Sequence, residues 1–244
     1  MRIRTLTAMA VAASLLTLSA PAQAIDVTPM VTRITAEAAQ AGYRLSVKNT
    51  SAMPITVELT PFKMSVDENG KRTLVEEQDD LILFPPQSII PPNREQVVQV
   101  RYVGEAQLNE GRMYLIRAAQ LPVPLASDTS QPVGATVNIA FNVNTHLFIS
   151  PDDAKATLTV VSSERAANGD VLMTVRNTGN GIAHLRTARY GVAGAGGARV
   201  DIDASQVEVG EVSALAGGAV RHIRIPAALL SGVPSDAAVS IELQ

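Results

Sequence analysis

Tyr43-Arg44-Leu45-Ser46-Val47-Lys48-Asn49 alternates apolar with polar side chains, and Ile55-Thr56-Val57-Glu58-Leu59-Thr60 repeats the alternation a few residues later. A period of two gathers the apolar residues of each run on one face of an extended chain, so both runs read as half-buried β-strands. Further along, Val98, Val100 and Tyr102 alternate with Gln99 and Arg101, and Asn69-Gly70 is a hairpin signal between two strand-like runs. Prolines stand between runs, at Pro85-Pro86, Pro91-Pro92, Pro122 and Pro124, where a missing N–H breaks no ladder. Residues 35–41 are the one stretch of helical composition, too short to predict a stable helix. Short strands separated by turn signals predict an all-β sandwich.

The pattern changes after Pro151. Residues 152–155 form a polar link, and the chain beyond it is richer in glycine, with Gly179, Gly181 and a small-residue run over 191–197 that reads as a flexible hairpin loop. Val171, Met173 and Val175 define a strand ending in the turn Asn177-Thr178-Gly179-Asn180-Gly181, and residues 207–212, 220–225 and 238–243 are predicted as further strands. The expectation is two sandwich domains, 25–151 and 152–244, each near the ~100 residues of a seven-stranded sandwich. Ahead of them, Arg2 and Arg4, an apolar stretch over 6–18 and Ala22-Gln23-Ala24 predict a cleaved signal peptide over 1–24. That stretch is short for a permanent membrane span, and no later segment reads as one. Removing it leaves 18 basic and 23 acidic side chains, net −5, in an exported protein expected in the periplasm of a double-membraned bacterium.

Composition narrows the chemistry. The chain's 244 residues contain no cysteine, which excludes disulfides, thiolate metal sites and cysteine nucleophiles. A net charge of −3 argues against nucleic acid as a partner. His146, His184 and His222 lie in separate strand contexts without metal-ligand spacing, there is no G-x-S-x-G elbow, and the 191–197 glycines lack the strand-then-helix setting of a phosphate loop. Glu76-Glu77 and Asp79-Asp80 read as a solvated strand face or loop, since paired carboxylates become catalytic only when burial separates their pKa values. No catalytic residue, metal site or cofactor is expected.

One segment departs from ordinary surface practice. From Thr129 to Pro151, 23 consecutive residues contain no Asp, Glu, Lys or Arg. Within it Val137, Ile139, Phe141, Val143 and Leu147 share one face of an extended strand, and Asn138, Ala140, Asn142, Asn144 and His146 share the other. Two readings stay open: a central strand with one face in the core, or a partly exposed edge strand whose large residues await a partner. Exposed edges ordinarily carry lysine, proline or inward charges, and the middle of this run has none.

These stretches, in order, resemble the periplasmic chaperones of the chaperone/usher pathway. The supporting residues are Thr32-Arg33-Ile34, Ser46-Val47-Lys48-Asn49 followed by Pro54, Pro91-Pro92-Asn93-Arg94 leading into 97–102, Leu121-Pro122, and 137–151. The second domain matches more weakly, through 171–181. The resemblance implies two immunoglobulin-like β-sandwich domains arranged in an L. It implies a chaperone for pilus or fimbrial subunits that delivers them to an outer-membrane usher. The strand over 137–143 would complete the subunit's unfinished sandwich by β-augmentation, its backbone supplying hydrogen bonds and Val137, Ile139, Phe141 and Val143 filling the groove. At ~1.5–3 kcal/mol per buried side chain, four would contribute on the order of 6–12 kcal/mol before ordering costs.

The resemblance also implies that two basic residues in the interdomain cleft hold the subunit's C-terminal carboxylate. Arg33 stands at the first position, against the alternative of a solvated strand arginine. At the second, where the family places lysine at the start of Lys-Leu-Phe-Tyr-Arg-Pro, this chain has His146-Leu147-Phe148-Ile149-Ser150-Pro151. Either His146 serves as a hydrogen-bonding anchor, charged when the carboxylate is present, or Arg117 supplies the fixed charge; Arg117 also reads as a solvated-face residue. The alternatives are a secreted two-domain structural or adhesive protein, including a pilin, and a periplasmic hydrolase, the latter disfavoured by the sparse catalytic inventory.

Overall fold

The computed structural model describes residues 25–122, 140–193, 199–233 and 237–243. The signal-peptide reading over 1–24 and two residues of the donor-strand reading, Val137 and Ile139, lie outside them. The first half carries β1 (Ile25–Thr28), β2 (Val31–Thr35), α1 (Ala36–Ala41), β3 (Tyr43–Asn49), β4 (Ile55–Val66), β5 (Arg72–Glu76) and β6 (Leu81–Phe84). It continues through β7 (Gln87–Ile90), β8 (Glu95–Tyr102), β9 (Arg112–Leu121) and β10 (Asn142–Ser150). The order β1-β3-β8-β6 makes one sheet; β2-β10-β9-β4-β5 makes the other, with β7 also on β4. The chain changes sheets at Pro29: β1 runs antiparallel to β3, whereas β2 runs parallel to β10.

The alternation seen in sequence becomes the core between these sheets. Leu45, Val47, Val98 and Val100 from one sheet meet Val57, Leu59, Tyr114, Ile116, Leu147 and Ile149 from the other, all buried. Two local features depart from the sequence reading. Residues 36–41 do form a helix, because the Thr35 hydroxyl caps the Ala38 N–H, Ala36 and Ala39 bury their small faces, and Gly42 closes the end at φ +88. Tertiary packing outweighs the cost of so short a helix. Pro61 sits inside β4, where that edge changes partner from β7, ending at Glu58↔Gln87, to β5, beginning at Phe62↔Glu76.

The second half holds β11 (Leu158–Arg165), β12 (Val171–Asn177), β13 (Ala183–His184), β14 (Arg189–Ala193), β15 (Arg199–Ile202), β16 (Ala214–Leu215), β17 (Val220–Ile225) and β18 (Ala238–Glu242). The sheets are β11-β12-β17, β13-β16 and β15-β14-β18, around a separate core that includes Val175, Leu185, Tyr190, Val209 and Ile225. The protein is thus all-β with two cores. Gly191 is inside β14, which pairs with β15 in hairpin register; residues 194–198 lie outside the described set.

Residues 207–212 are not a strand. Only Glu208 makes a ladder bridge, to Arg224, and Gly210 turns the chain at φ +92. The burial of Val207, Val209 and Val212 is real, but the carbonyls of Val209, Val212 and Ala214 are taken by the guanidinium of fully buried Arg221, at 2.7, 2.6 and 3.1 Å. A side chain therefore does the satisfying that a sheet neighbour would otherwise do.

Both halves end an early strand with the same device. Buried Asn49 donates to the carbonyls of Met53 and Ile90 while its Oδ1 accepts from Ser51. Buried Asn177 donates to Gly181 and Leu215 while its Oδ1 accepts from the Thr157 and Gly179 amides. The sequences Val47-Lys48-Asn49-Thr50 and Val175-Arg176-Asn177-Thr178 carry it.

The halves meet through Met64, Met113 and Phe148 on one side and Val212 and Ala214 on the other, with Ile182 packed against them. Backbone bonds cross the junction: Gly111 donates to Asn180 (2.9 Å), Val212 to Gly70 (3.1 Å) and His222 to Glu68 (2.7 Å). Gly70 is required here, because at φ +80 a Cβ would stand 2.6 Å from the Val209 carbonyl oxygen.

Candidate binding cleft

β10 is central along half its length and an edge along the other. From His146 to Ile149 it lies between β2 and β9; from Asn142 to Thr145 it pairs with β9 alone among the described residues. The pairing continues one residue earlier, where the Gln120 amide donates to the Phe141 carbonyl at 2.9 Å. Thr145, Leu147 and Ile149 are buried, whereas Phe141 and Val143, on the same face, are half-buried against the margin of the first core. Neither reading of the uncharged run is sufficient alone: the strand leaves the core's centre and becomes an edge.

The opposite face of this sheet carries the polar groups. Parallel pairing sets Arg33 beside Phe148 and Val31 beside His146, and antiparallel pairing sets Arg117 opposite Asn144. A cleft of about 220 Å³ between the halves is lined by Arg33, Arg72, His146, Phe148, His184 and Glu211, among others. Arg33 Nε donates to His184 Nε2 at 2.9 Å, and its guanidinium carbon stands 5.8 Å from the centre of the Phe148 ring. Phe148 stacks with His146 at 6.1 Å and meets His184 edge-on at 5.2 Å. Burial, aided by Arg33, pushes His184 down to about 4, which keeps it neutral and able to accept from the guanidinium. Burial and then Arg72 push His146 below the usual histidine range.

Of the three anchor candidates, Arg33 and His146 share the cleft. Arg117 is not among its lining residues; Nε donates to Asn144 Oδ1 at 3.3 Å and the guanidinium lies 4.6 Å from the Phe62 ring centre. Sequence reading passed over Arg72, whose Nε bonds Glu211 Oε1 at 2.8 Å, and set aside His184 as an isolated histidine. Glu77 and Asp80 are not simply solvated either. Glu77 is buried and accepts the amides of Asp79 and Asp80, and Asp80 accepts from the Tyr114 hydroxyl at 2.6 Å.

A larger cleft of about 560 Å³ is lined by Asn69, Leu172, Thr174, His222 and Arg224. There the Arg224 guanidinium is already paired with Asp170 and Glu208, and His222 faces Glu68 at 3.5 Å. Among the described residues no group of three His, Asp or Glu is placed to hold a metal, and no helix is long and apolar enough to cross a membrane.

The chain belongs to the pili and flagellar-assembly chaperones: the family model for the PapD N-terminal domain matches residues 26–155. This is a family of chaperones and not of enzymes. Among solved structures it resembles the class 5 fimbriae chaperone CfaA, at TM-score 0.58 and 9% identity over 91% of this chain and 100% of that one. The E. coli chaperone DraB matches at TM-score 0.53 and 17% identity over 84% and 86% of the two chains. A structure of the Salmonella enterica SafA pilin with the SafB chaperone matches at TM-score 0.54 and 15% identity over 85% and 86%. At these identities the likeness is one of fold. No curated protein sequence matches the chain.

Proposed function

We propose that this protein is a periplasmic chaperone, exported by the signal over 1–24, that completes the unfinished sandwich of a pilus or fimbrial subunit with its own strand and hands the subunit to an outer-membrane usher. The observation that carries the reading is the edge of β10 at 142–145, which has no second strand partner among the described residues and belongs to an uncharged alternating run beside a basic cleft. Val137, Ile139, Phe141 and Val143 fill the subunit's groove, and the free backbone edge supplies the ladder. Arg33 gives the fixed charge for the subunit's C-terminal carboxylate, His146 adds a hydrogen bond, and Arg117 orders Asn144 on the strand beside it. In this reading domain 25–151 provides the donated strand, and domain 152–244 closes the cleft.

Affinity purification from periplasm tests it. The wild-type chain should emerge in a one-to-one complex with a small subunit, and Phe141→Asp should release that subunit, because a charge would be buried in an apolar groove. An adhesin of the same architecture would bind an external surface unaffected by the substitution; that result, or recovery of the chain without a subunit, overturns the proposal.

A further inference from the structure

The resemblance implies two positive groups for the proposed carboxylate site, and the cleft has a fixed cation that the sequence reading did not assign. Arg72 opens β5 immediately after the hairpin turn at Gly70 and lines the cleft together with Arg33 and His146. Its partner Glu211 arrives from the other half, on the segment whose carbonyls Arg221 holds. The Arg72 and Glu211 side chains are 32% and 48% exposed, so the pair is solvent-screened and readily exchanged. Arg33 is in a different condition. Its Nε is occupied by His184, which leaves its terminal amino groups without a hydrogen bond among the described residues and fixes the fork against Phe148.

We propose that Arg72 is the second cation of a carboxylate site shared with Arg33, and that Glu211 is an internal carboxylate which the C-terminal carboxylate of an incoming polypeptide displaces from Arg72. The inference rests on the chaperone reading and adds a residue and a competitor to it. Guanidinium forks match carboxylates in shape and charge, and the same geometry that lets Arg72 hold Glu211 lets it hold a chain terminus. Glu211 limits the repulsion between two arginines that line the same cleft in the free protein. It also sets a threshold, since a ligand must offer a better-placed carboxylate than the one already there. His146, which burial and then Arg72 discourage from protonation, acts as a neutral hydrogen-bonding group beside the two cations.

The test uses the full mature chain and two synthetic peptides of the C-terminal residues of the co-purified subunit, one a free acid and one an amide. The pair separates a chain terminus from a side-chain carboxylate as the recognised group. Wild type should prefer the acid. Arg72→Ala and Arg33→Ala should each weaken acid binding about tenfold or more and remove the acid–amide difference, with Arg72→Lys recovering part of it. Glu211→Gln should tighten the acid severalfold and leave the amide unchanged. If Arg72→Ala keeps the acid preference while Arg33→Ala loses it, or Glu211→Gln leaves the acid affinity unaltered, the assignment is overturned although the chaperone reading stands. If no subunit co-purifies, the chaperone reading falls and this inference with it.

Discussion

Replacing Arg221 with methionine should destabilise the second half of the molecule by roughly 2–4 kcal/mol. Arg221 is fully buried on β17, and three of its N–H groups hold the carbonyls of Val209, Val212 and Ala214. Hydrogen bonds from a charged donor contribute about 1.5–3 kcal/mol each, or roughly 5–9 in all. Against this stands the cost of keeping a cation out of water, several kcal/mol, which methionine removes. The Nε–H finds no partner among the described residues, so compensation is incomplete. Methionine fills most of the volume, and the net loss is what three abandoned carbonyls cost beyond the recovered solvation. Urea unfolding followed by amide hydrogen exchange is the suitable assay, because two cores need not unfold together and exchange reports each separately. Amides of β12 and β17 should exchange faster in the variant, and those of β3 and β8 should not. A variant as stable as wild type would refute the reasoning, showing that burying this charge costs as much as its three bonds return. The substitution should also disturb the cleft, since Arg221 orders the segment that carries Glu211.

Gly70→Ala should open the junction between the halves. Its Cβ would lie 2.6 Å from the Val209 oxygen and 2.7 Å from Gly210 Cα, and φ +80 disfavours any side chain, so the amides of Val212 and His222, bonded across to Gly70 and Glu68, should exchange faster. Unchanged protection at both would show that the contact is not held closed at Gly70. Stability should depend on pH through His184, whose folded pKa of about 4 lies below the unfolded value of ~6.5. The unfolded chain binds the proton first, so this contribution is complete above pH ~6.5 and is lost as pH falls toward 4, on the order of 2 kcal/mol after solvent screening. His184→Gln should flatten that part of the unfolding profile; a profile identical to wild type would contradict the assignment.

What could be read from the chain alone follows the range of the physics involved. Leu45 and Val47, or Val98 and Val100, declare their burial through neighbours two residues away, so strands and the two-core organisation are visible locally. Residues 207–212 mislead for the same reason: alternation reports burial, and nothing within six residues says that Arg221 will take the place of a neighbouring strand. Asn49 and Asn177 occur in matching Asn-Thr contexts, yet their partners, such as Ile90 and Leu215, are far along the chain, so the shared device emerges only on folding.

The cleft is the extreme case. Arg33 and His184 are 151 positions apart, and Arg72 meets Glu211 only because a glycine-to-glycine contact brings the 67–71 turn against the second half. Each of these residues taken singly has an ordinary solvated explanation. The uncharged run stands out in the sequence because it departs from a rule that operates residue by residue, that exposed edges carry charge, and of its residues only 140–151 are described. Its meaning as an edge depends on where β2 stops pairing with it, at His146. That same residue lines the cleft, so the end of the ladder and the start of the proposed carboxylate site are set by one register. A substitution that slips β2 against β10 would misplace the open edge relative to Arg33, whatever side chains remained.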